Sequence, residues 1–344
     1  MFHKILKRSY SLRSIRHYRN YGDWIQNPSP GPTSLTGRPG STVFTDYTNE
    51  YDLHRPFYPN KMWDALEKYC KQSVFRTHAD QRRHSHQTTY QVDGPKFQFN
   101  HALDIATGTG RGAIELAKRN QYRTVTAVDL DHGMLQQLES NAHVQGLVIN
   151  TLHSPAEEIH NVPDGSIDLI VVLQAFHWFN REEALIEMRR VLNPETGTLL
   201  IAWNDRDLNI PWIQRLESIL EEFNPKYNRD LKQTEAITRN GTIFQPYFAS
   251  AMAAENDGSD STIQCEIYDN ATSGLTTAGL IALMQTMSYV KNALNEKEME
   301  QFENRVTEMC NECHGENETF EMPWLTKAFV LKPNFESAFP LHIL

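Results

Sequence analysis

The chain has 344 residues, of which 40% are hydrophobic and 22% are charged, with a formal net charge of −10. These proportions exclude a wholly disordered or fibrous protein, and the longest apolar run, residues 167–176, is far shorter than the ~20 residues that cross a bilayer. Outside a basic N-terminal segment the chain is strongly acidic and would repel a phosphate backbone, so we expect neither a membrane span nor a nucleic-acid partner.

The N-terminal segment differs in charge from the rest of the chain. Residues 1–22 contain six basic side chains and no acidic one. Their Arg- and Ser-rich composition is typical of a mitochondrial transit peptide, and a solvated basic tail on a cytoplasmic protein is an equal alternative. A stretch rich in Pro, Gly and Ser follows at residues 27–41 and predicts a flexible linker. Residues 1–42 therefore precede the predicted folded domain, residues 43–331.

Short β-branched runs alternate with amphipathic stretches in the first half of this domain. They predict strands at residues 102–106, 124–129, 147–152, 167–173 and 198–203, and helices at residues 112–120, 132–142, 181–192 and 211–223. Such alternation predicts a parallel sheet with helices on both faces. Ligands of these sheets bind at the carboxyl ends of the strands.

The pattern changes in the second half of the domain. We predict a strand at 262–268, helices within 276–314 and a closing strand at 319–331, which together would form an antiparallel edge and a helical cap that selects the substrate. Polar stretches near 72–96 and 249–261 read as surface insertions, and residues 332–344 as a tail. The four cysteines are too few for a disulfide scaffold and are interpreted as thiols in a reducing compartment. We expect no metal.

A glycine-rich turn follows the first predicted strand. Gly108 and Gly110 allow a tight turn and a close approach of the backbone to a ligand at the start of the next helix. Asp129 ends the second predicted strand, where an acid is placed to accept hydrogen bonds from ribose hydroxyls. The pair predicts a nucleoside-cofactor site, and its spacing also fits the dinucleotide fingerprint.

Asp104 distinguishes these two cofactor classes. The pattern Asp104-x-Ala106-x-Gly108-x-Gly110 resembles motif I of the class I S-adenosylmethionine-dependent methyltransferases, in which a glycine usually stands where this chain has Ala106. Further segments are similar to the type 11 group of this family, which includes the fungal trans-aconitate methyltransferases. These segments are residues 51–59, 174–179, 202–207 and 288–290.

The resemblance implies a seven-stranded Rossmann-like α/β fold in three αβα layers, mostly parallel with an antiparallel edge hairpin, plus a C-terminal helical cap. It also implies S-adenosylmethionine as cofactor. The cofactor-binding residues carried over are Asp104, Ala106, Gly108, Gly110, Asp129, Leu130, Met134, Ala156, Glu157 and Gln174. Plain helix packing is the alternative for Met134.

The methyl acceptor is expected beside the fourth strand. His177 is the catalytic candidate, either as a general base or as a hydrogen-bonding residue that orients the loop. The substrate-side candidates are Tyr47, Tyr51, Arg55, Trp178, Asn204 and Arg206. We predict methyl transfer to a small molecule, with a carboxylic acid such as trans-aconitate favoured by the resemblance. A catalytically inactive assembly or interaction factor is the alternative, and an NAD-dependent dehydrogenase is a weaker one.

Overall fold

A mixed eight-stranded sheet runs through the described part of the protein. A computed structural model describes residues 55–84, 98–227, 243–250, 263 and 265–335, all within the unit Pro39–Leu344. The predicted transit peptide and linker, most of the 249–261 insertion and most of the C-terminal tail lie outside these residues.

The first five strands are parallel. They are β1 (Phe99–Ile105), β2 (Tyr122–Asp129), β3 (Asn150–His153), β4 (Leu169–Leu173) and β5 (Thr198–Arg206), arranged in the order β3-β2-β1-β4-β5. The predicted strands of this half are confirmed. Strand β3 begins three residues later than predicted because the N–H of Leu147 still bonds to the Ala142 carbonyl and closes the preceding helix.

Helices cover both faces of this parallel half. They are α1 (Asn60–His84), α2 (Arg111–Arg119), α3 (His132–Val144), α4 (Arg181–Val191) and α5 (Pro211–Phe223). Alternate residues of a strand point to opposite faces. Accordingly, Ile170 and Val172 of β4 pack in one buried cluster with α4, whereas Leu169 and Val171 pack in another with α1 and α2. Because α1 continues to His84, the first half of the predicted 72–96 insertion is helical.

The C-terminal strands reverse direction. Strand β8 (Phe320–Pro333) pairs antiparallel with β5, and β7 (Glu266–Leu275) pairs antiparallel with β8. The predicted Rossmann-like fold with an antiparallel edge hairpin is thus confirmed. The short β6 (Phe248–Ser250), which was not predicted, pairs with the end of β8 and is the additional strand beyond the predicted seven.

The cap consists of helices α6 (Thr277–Gln285), α7 (Ser288–Lys291) and α8 (Glu296–His314). They pack with α5 around a third buried cluster. Asn295 and Glu298 form a reciprocal capping box that fixes the start of α8. No helix in the described ranges combines the length and the apolar character needed to span a bilayer.

Candidate functional site

The turn between β1 and α2 has three residues with positive φ. They are Ala106 (φ 53°), Gly108 (φ 56°) and Gly110 (φ 97°). A Cβ on Gly110 would lie 2.7 Å from Cγ of Leu138, so only glycine fits there. Ala106 occupies a left-handed conformation that favours glycine, and this is the position where the chain departs from the motif it resembles.

Asp104 lies beneath this turn and is almost fully buried. Its Oδ2 accepts hydrogen bonds from Thr107 Oγ1 at 2.6 Å and from the N–H of Ala113 at 2.7 Å. Its Oδ1 is buried and has no hydrogen-bond partner among the described residues. Burial raises the pKa of this carboxyl from 3.8 to about 7. Asp104 therefore keeps one acceptor position for a ligand.

Asp129 holds the turn from the neighbouring strand. Its Oδ2 accepts from the N–H of Gly108 at 2.8 Å, and its Oδ1 accepts from the N–H of Asp131 at 2.9 Å. Burial raises the pKa of this carboxyl. Each carboxylate oxygen has a second lone pair, so the turn and a ligand hydroxyl can be held by the same side chain.

A pocket that is open to solvent lies at the carboxyl ends of β1, β4 and β5. It brings together six of the predicted site residues: Arg55, Asp104, Ala106, Gly108, Gln174 and Asn204. Gln174 has a positive φ of 57°, and its Nε2 donates to the Asn204 carbonyl at 3.0 Å. Its Oε1 is buried with no hydrogen-bond partner in the described ranges.

The pocket also contains Pro56 and Tyr58, from the segment 51–59 that the sequence indicates, and residues that the sequence analysis missed: Thr107, Thr109, Arg111, Gly112 and Leu173. Arg111 is the first residue of α2, and its guanidinium carbon lies 4.3 Å from the centroid of the Phe57 ring. A cation is unfavourable at a helix N-terminus because of the helix dipole. An arginine at the start of a predicted helix could therefore have indicated a candidate anion-binding residue from the sequence alone.

A strap, residues 55–58, crosses the pocket and is held by hydrogen bonds from distant elements. Asn204 Nδ2 lies 3.4 Å from the carbonyls of Pro56 and Phe57, and Asn270 Nδ2 donates to the Phe57 carbonyl at 2.7 Å. Arg55 donates to Thr286 of the cap. Arg55 and Asn204, which were predicted as substrate residues, thus both line the pocket and hold its strap.

His177 lies in a 3₁₀ turn, Phe176–Trp178, directly after β4. Its Nδ1 lies 3.4 Å from Nε1 of Trp203. Burial, with a further contribution from Arg181, lowers the pKa of His177 to about 4. The neighbouring Trp178 is 53% exposed. Neither His177 nor Trp178 is among the residues that line the described pocket.

Arg206 is almost fully buried away from the pocket lining. Its guanidinium donates to Glu217 at 2.5 Å, to the Tyr227 hydroxyl at 2.7 Å and to the Tyr289 hydroxyl at 2.8 Å. The structure therefore places this predicted substrate residue in a polar cluster between β5, α5 and the cap.

Four of the predicted cofactor residues, Leu130, Met134, Ala156 and Glu157, are not among the residues that line the pocket. The Leu130 carbonyl bonds to His153 at 2.9 Å, and Glu157 accepts from the N–H of Asn180 at 2.7 Å. Met134 and Ala156 are buried. Gly110 lies in the turn against Leu138 and does not line the pocket. Tyr47 and Tyr51 lie outside the described residues.

Comparison with known proteins agrees with this geometry. Residues 103–201 match a family model described as a methyltransferase domain. An uncharacterized methyltransferase of Schizosaccharomyces pombe is 35% identical over 121 residues, which is 35% of this chain and 45% of that protein. The malonyl-[acyl-carrier protein] O-methyltransferase of Geobacter sulfurreducens is 38% identical over 92 residues, 26% of this chain and 33% of that protein.

A third relative is the demethylmenaquinone methyltransferase of Porphyromonas gingivalis, which is 33% identical over 141 residues, 40% of this chain and 57% of that protein. In all three comparisons the chain spans less than two thirds of the relative's length. The similarity is therefore to a shared domain, and the two relatives with named acceptors differ in what they methylate.

Proposed function

We propose that this protein transfers the methyl group of S-adenosylmethionine to a small-molecule acceptor, which is supported by the match of residues 103–201 to a methyltransferase domain model and by the similarity to methyltransferases. The observation that carries the proposal is the buried Oδ1 of Asp104, without a hydrogen-bond partner among the described residues, in a pocket that the glycine turn builds.

The pocket residues suit the chemical groups of this cofactor. An ammonium group pairs with a buried carboxylate oxygen such as Oδ1 of Asp104, and a carboxylate suits the guanidinium of Arg111 at the N-terminus of α2. Asp129 remains the candidate for the ribose hydroxyls. When bound, the cofactor supplies a methyl group that its sulfonium charge has already activated for displacement.

The protein's own contribution is then to position the acceptor and exclude water. The strap lines the pocket, with Asn204 and Asn270 fixing its carbonyls. An acceptor would have to reach the methyl group within this pocket, where β4 and β5 end. His177 and Trp178 follow β4 without lining the pocket.

His177 favours an acceptor that needs no general base. With Nδ1 accepting from Trp203, the neutral ring carries its proton on Nε2 and is a donor there. A carboxylate is already ionised at neutral pH and is oriented by such a donor. We therefore propose a small carboxylic acid as acceptor, which agrees with the resemblance to trans-aconitate methyltransferases and with the O-methylation named for the Geobacter relative.

Calorimetric titration with S-adenosylmethionine and S-adenosylhomocysteine tests the cofactor assignment, with NAD as the control ligand. Asp104→Asn should weaken binding of both sulfur compounds, whereas Asp164→Asn, which changes a surface carboxylate paired with Arg190, should not. Binding of NAD alone would point to a dehydrogenase. Absence of all binding would favour a non-catalytic interaction factor.

A second experiment tests the acceptor class. Purified protein is incubated with labelled S-adenosylmethionine and small di- and tricarboxylic acids, each beside its methyl ester as the matched control. Methyl transfer to the acids and not to the esters supports the proposal. Transfer to hydroxyl or amine compounds only would refute the carboxylate assignment and leave the cofactor assignment intact.

A further inference from the structure

Arg55 of the strap binds Thr286, in the connection between α6 and α7. Thr286, the last residue before this connection turns, accepts two hydrogen bonds from Arg55: Nε donates to its Oγ1 at 3.1 Å and Nη2 donates to its carbonyl at 3.1 Å. The Thr286 hydroxyl itself donates to the Leu283 carbonyl at 2.7 Å. A guanidinium bound at the C-terminal end of α6 is also favoured by the helix dipole.

Three residues later, helix α7 of the cap is bound to the sheet. The hydroxyl of Tyr289 accepts from Nη1 of Arg206, the last residue of β5, at 2.8 Å. The Tyr289 carbonyl accepts from Asn224 Nδ2 at 2.9 Å. The cap is therefore fixed to β5 through Tyr289 and to the strap through Thr286.

Strand β5 also reaches the strap directly. Asn204, two residues before Arg206, faces the carbonyls of Pro56 and Phe57, and Thr326 and Asn270 both donate to its Oδ1. Strap, strand and cap thus form a closed triangle of hydrogen bonds. The Phe57 ring is 71% exposed, whereas Pro56 is buried and Tyr58 packs against the cluster that contains α1 and α2. Polar and apolar contacts therefore hold the strap together.

We propose that Thr286 is a positioning residue that keeps the strap closed over the pocket, so that the cap controls how long the cofactor is retained. The inference rests on the proposed function for the identity of the cofactor. It concerns a residue that is not itself part of the pocket lining, and its effect passes through Arg55, which is.

Thr286→Val tests the inference, because valine keeps the shape of threonine and removes the hydroxyl that accepts from Arg55. Thr307→Val is the matched control: Thr307 lies on α8 of the cap, and its hydroxyl donates to the Glu303 carbonyl at 2.8 Å in the same way as Thr286 donates to Leu283. Thr286→Ser restores the hydroxyl and should restore the behaviour of the unchanged protein.

Two measurements are made on the full chain. The first is hydrogen exchange of the segment 55–63 without ligand, and the second is the dissociation rate of S-adenosylhomocysteine by stopped flow. We expect Thr286→Val to accelerate both, the dissociation rate by about three- to tenfold, the scale of one typical intramolecular hydrogen bond. Thr307→Val and Thr286→Ser should leave both unchanged.

The outcomes separate the two proposals. Unchanged hydrogen exchange in Thr286→Val would refute the role of Thr286 in holding the strap. Equal acceleration of exchange in Thr307→Val would refute it too, because any loosening of the cap would then have the same effect. Faster exchange with an unchanged dissociation rate would refute the control of retention. If the unchanged protein does not bind S-adenosylhomocysteine, the proposed function fails, and control of cofactor retention fails with it. The hydrogen-exchange data still decide whether Thr286 holds the strap.

Discussion

The indole N–H of Trp203 is directed at Nδ1 of His177 across 3.4 Å. Trp203 is fully buried and its ring is fixed by edge contacts with Phe176 and Phe329. The imidazole is therefore held in one orientation by a rigid neighbour, with Nε2 as its other hydrogen-bonding atom.

The first prediction concerns the pH dependence of turnover. Burial and Arg181 lower the pKa of His177 to about 4, so the imidazole is neutral above that pH and its contribution is lost only as the pH falls through about 4. We expect turnover to show no inflection near pH 6.5, and His177→Gln to lower turnover without changing the shape of the profile between pH 6 and 8. An inflection near 6.5 that disappears in His177→Gln would establish a general base.

The second prediction concerns Asp104 and stability. Burial raises its pKa from 3.8 to about 7 in the folded protein, so the folded state binds a proton that the unfolded state has released. The stability due to this group is fully present below about pH 4 and is lost as the pH rises through about 7. Urea unfolding of ligand-free protein at several pH values should show this decline, and Asp104→Asn should show a shallower one. Parallel curves for the two proteins would contradict the shifted pKa.

The third prediction concerns Ala106. Its φ of 53° costs about 1–2 kcal/mol for a residue with a Cβ, whereas glycine loses about 0.5–1 kcal/mol more conformational freedom on folding. Ala106→Gly should therefore raise the free energy of unfolding by up to about 1 kcal/mol. Ala117→Gly, inside α2, should lower it by about 1 kcal/mol. Destabilisation by both changes would show that Ala106 carries no strain.

The fourth prediction distinguishes a structural from a substrate-binding role for Arg206. Arg206→Met leaves Glu217 buried without its charge partner and should cost about 3–5 kcal/mol of stability. Adding Glu217→Gln should recover much of that loss. Arg215→Met, which breaks an exposed pair with Glu312, should leave the free energy of unfolding nearly unchanged. A stable Arg206→Met protein with impaired acceptor binding would support the substrate role instead.

The local pattern of the chain was sufficient to predict the five parallel strands and helices α2 to α5, whereas α1 was not predicted. Helix α5 begins and ends where periodicity placed it, and the glycine turn lies between β1 and α2 as expected. The contacts of the strap could not be predicted in the same way. Arg55 and Thr286 are 231 positions apart, and Phe57 and Asn270 are 213 apart, so only the folded arrangement brings them together.

Arg206 shows a second limit of sequence reasoning. An arginine at the end of a central strand reads as a substrate ligand when its neighbours are unknown. Its partner Glu217 lies on the next helix and points inward, and two tyrosine hydroxyls occupy its other donors. Side-chain pairing across elements decides where its guanidinium lies, and hydrophobic periodicity carries no information on such pairing.

The bond from the N–H of Gly108 to Asp129 bears on how fast a ligand associates. The turn is ordered by the chain's own carboxylate, so the loss of backbone freedom occurs during folding and no loop has to become ordered around an arriving molecule. A diffusing ligand meets a surface that already has its final shape, and the slow step of entry is then passage beneath the strap.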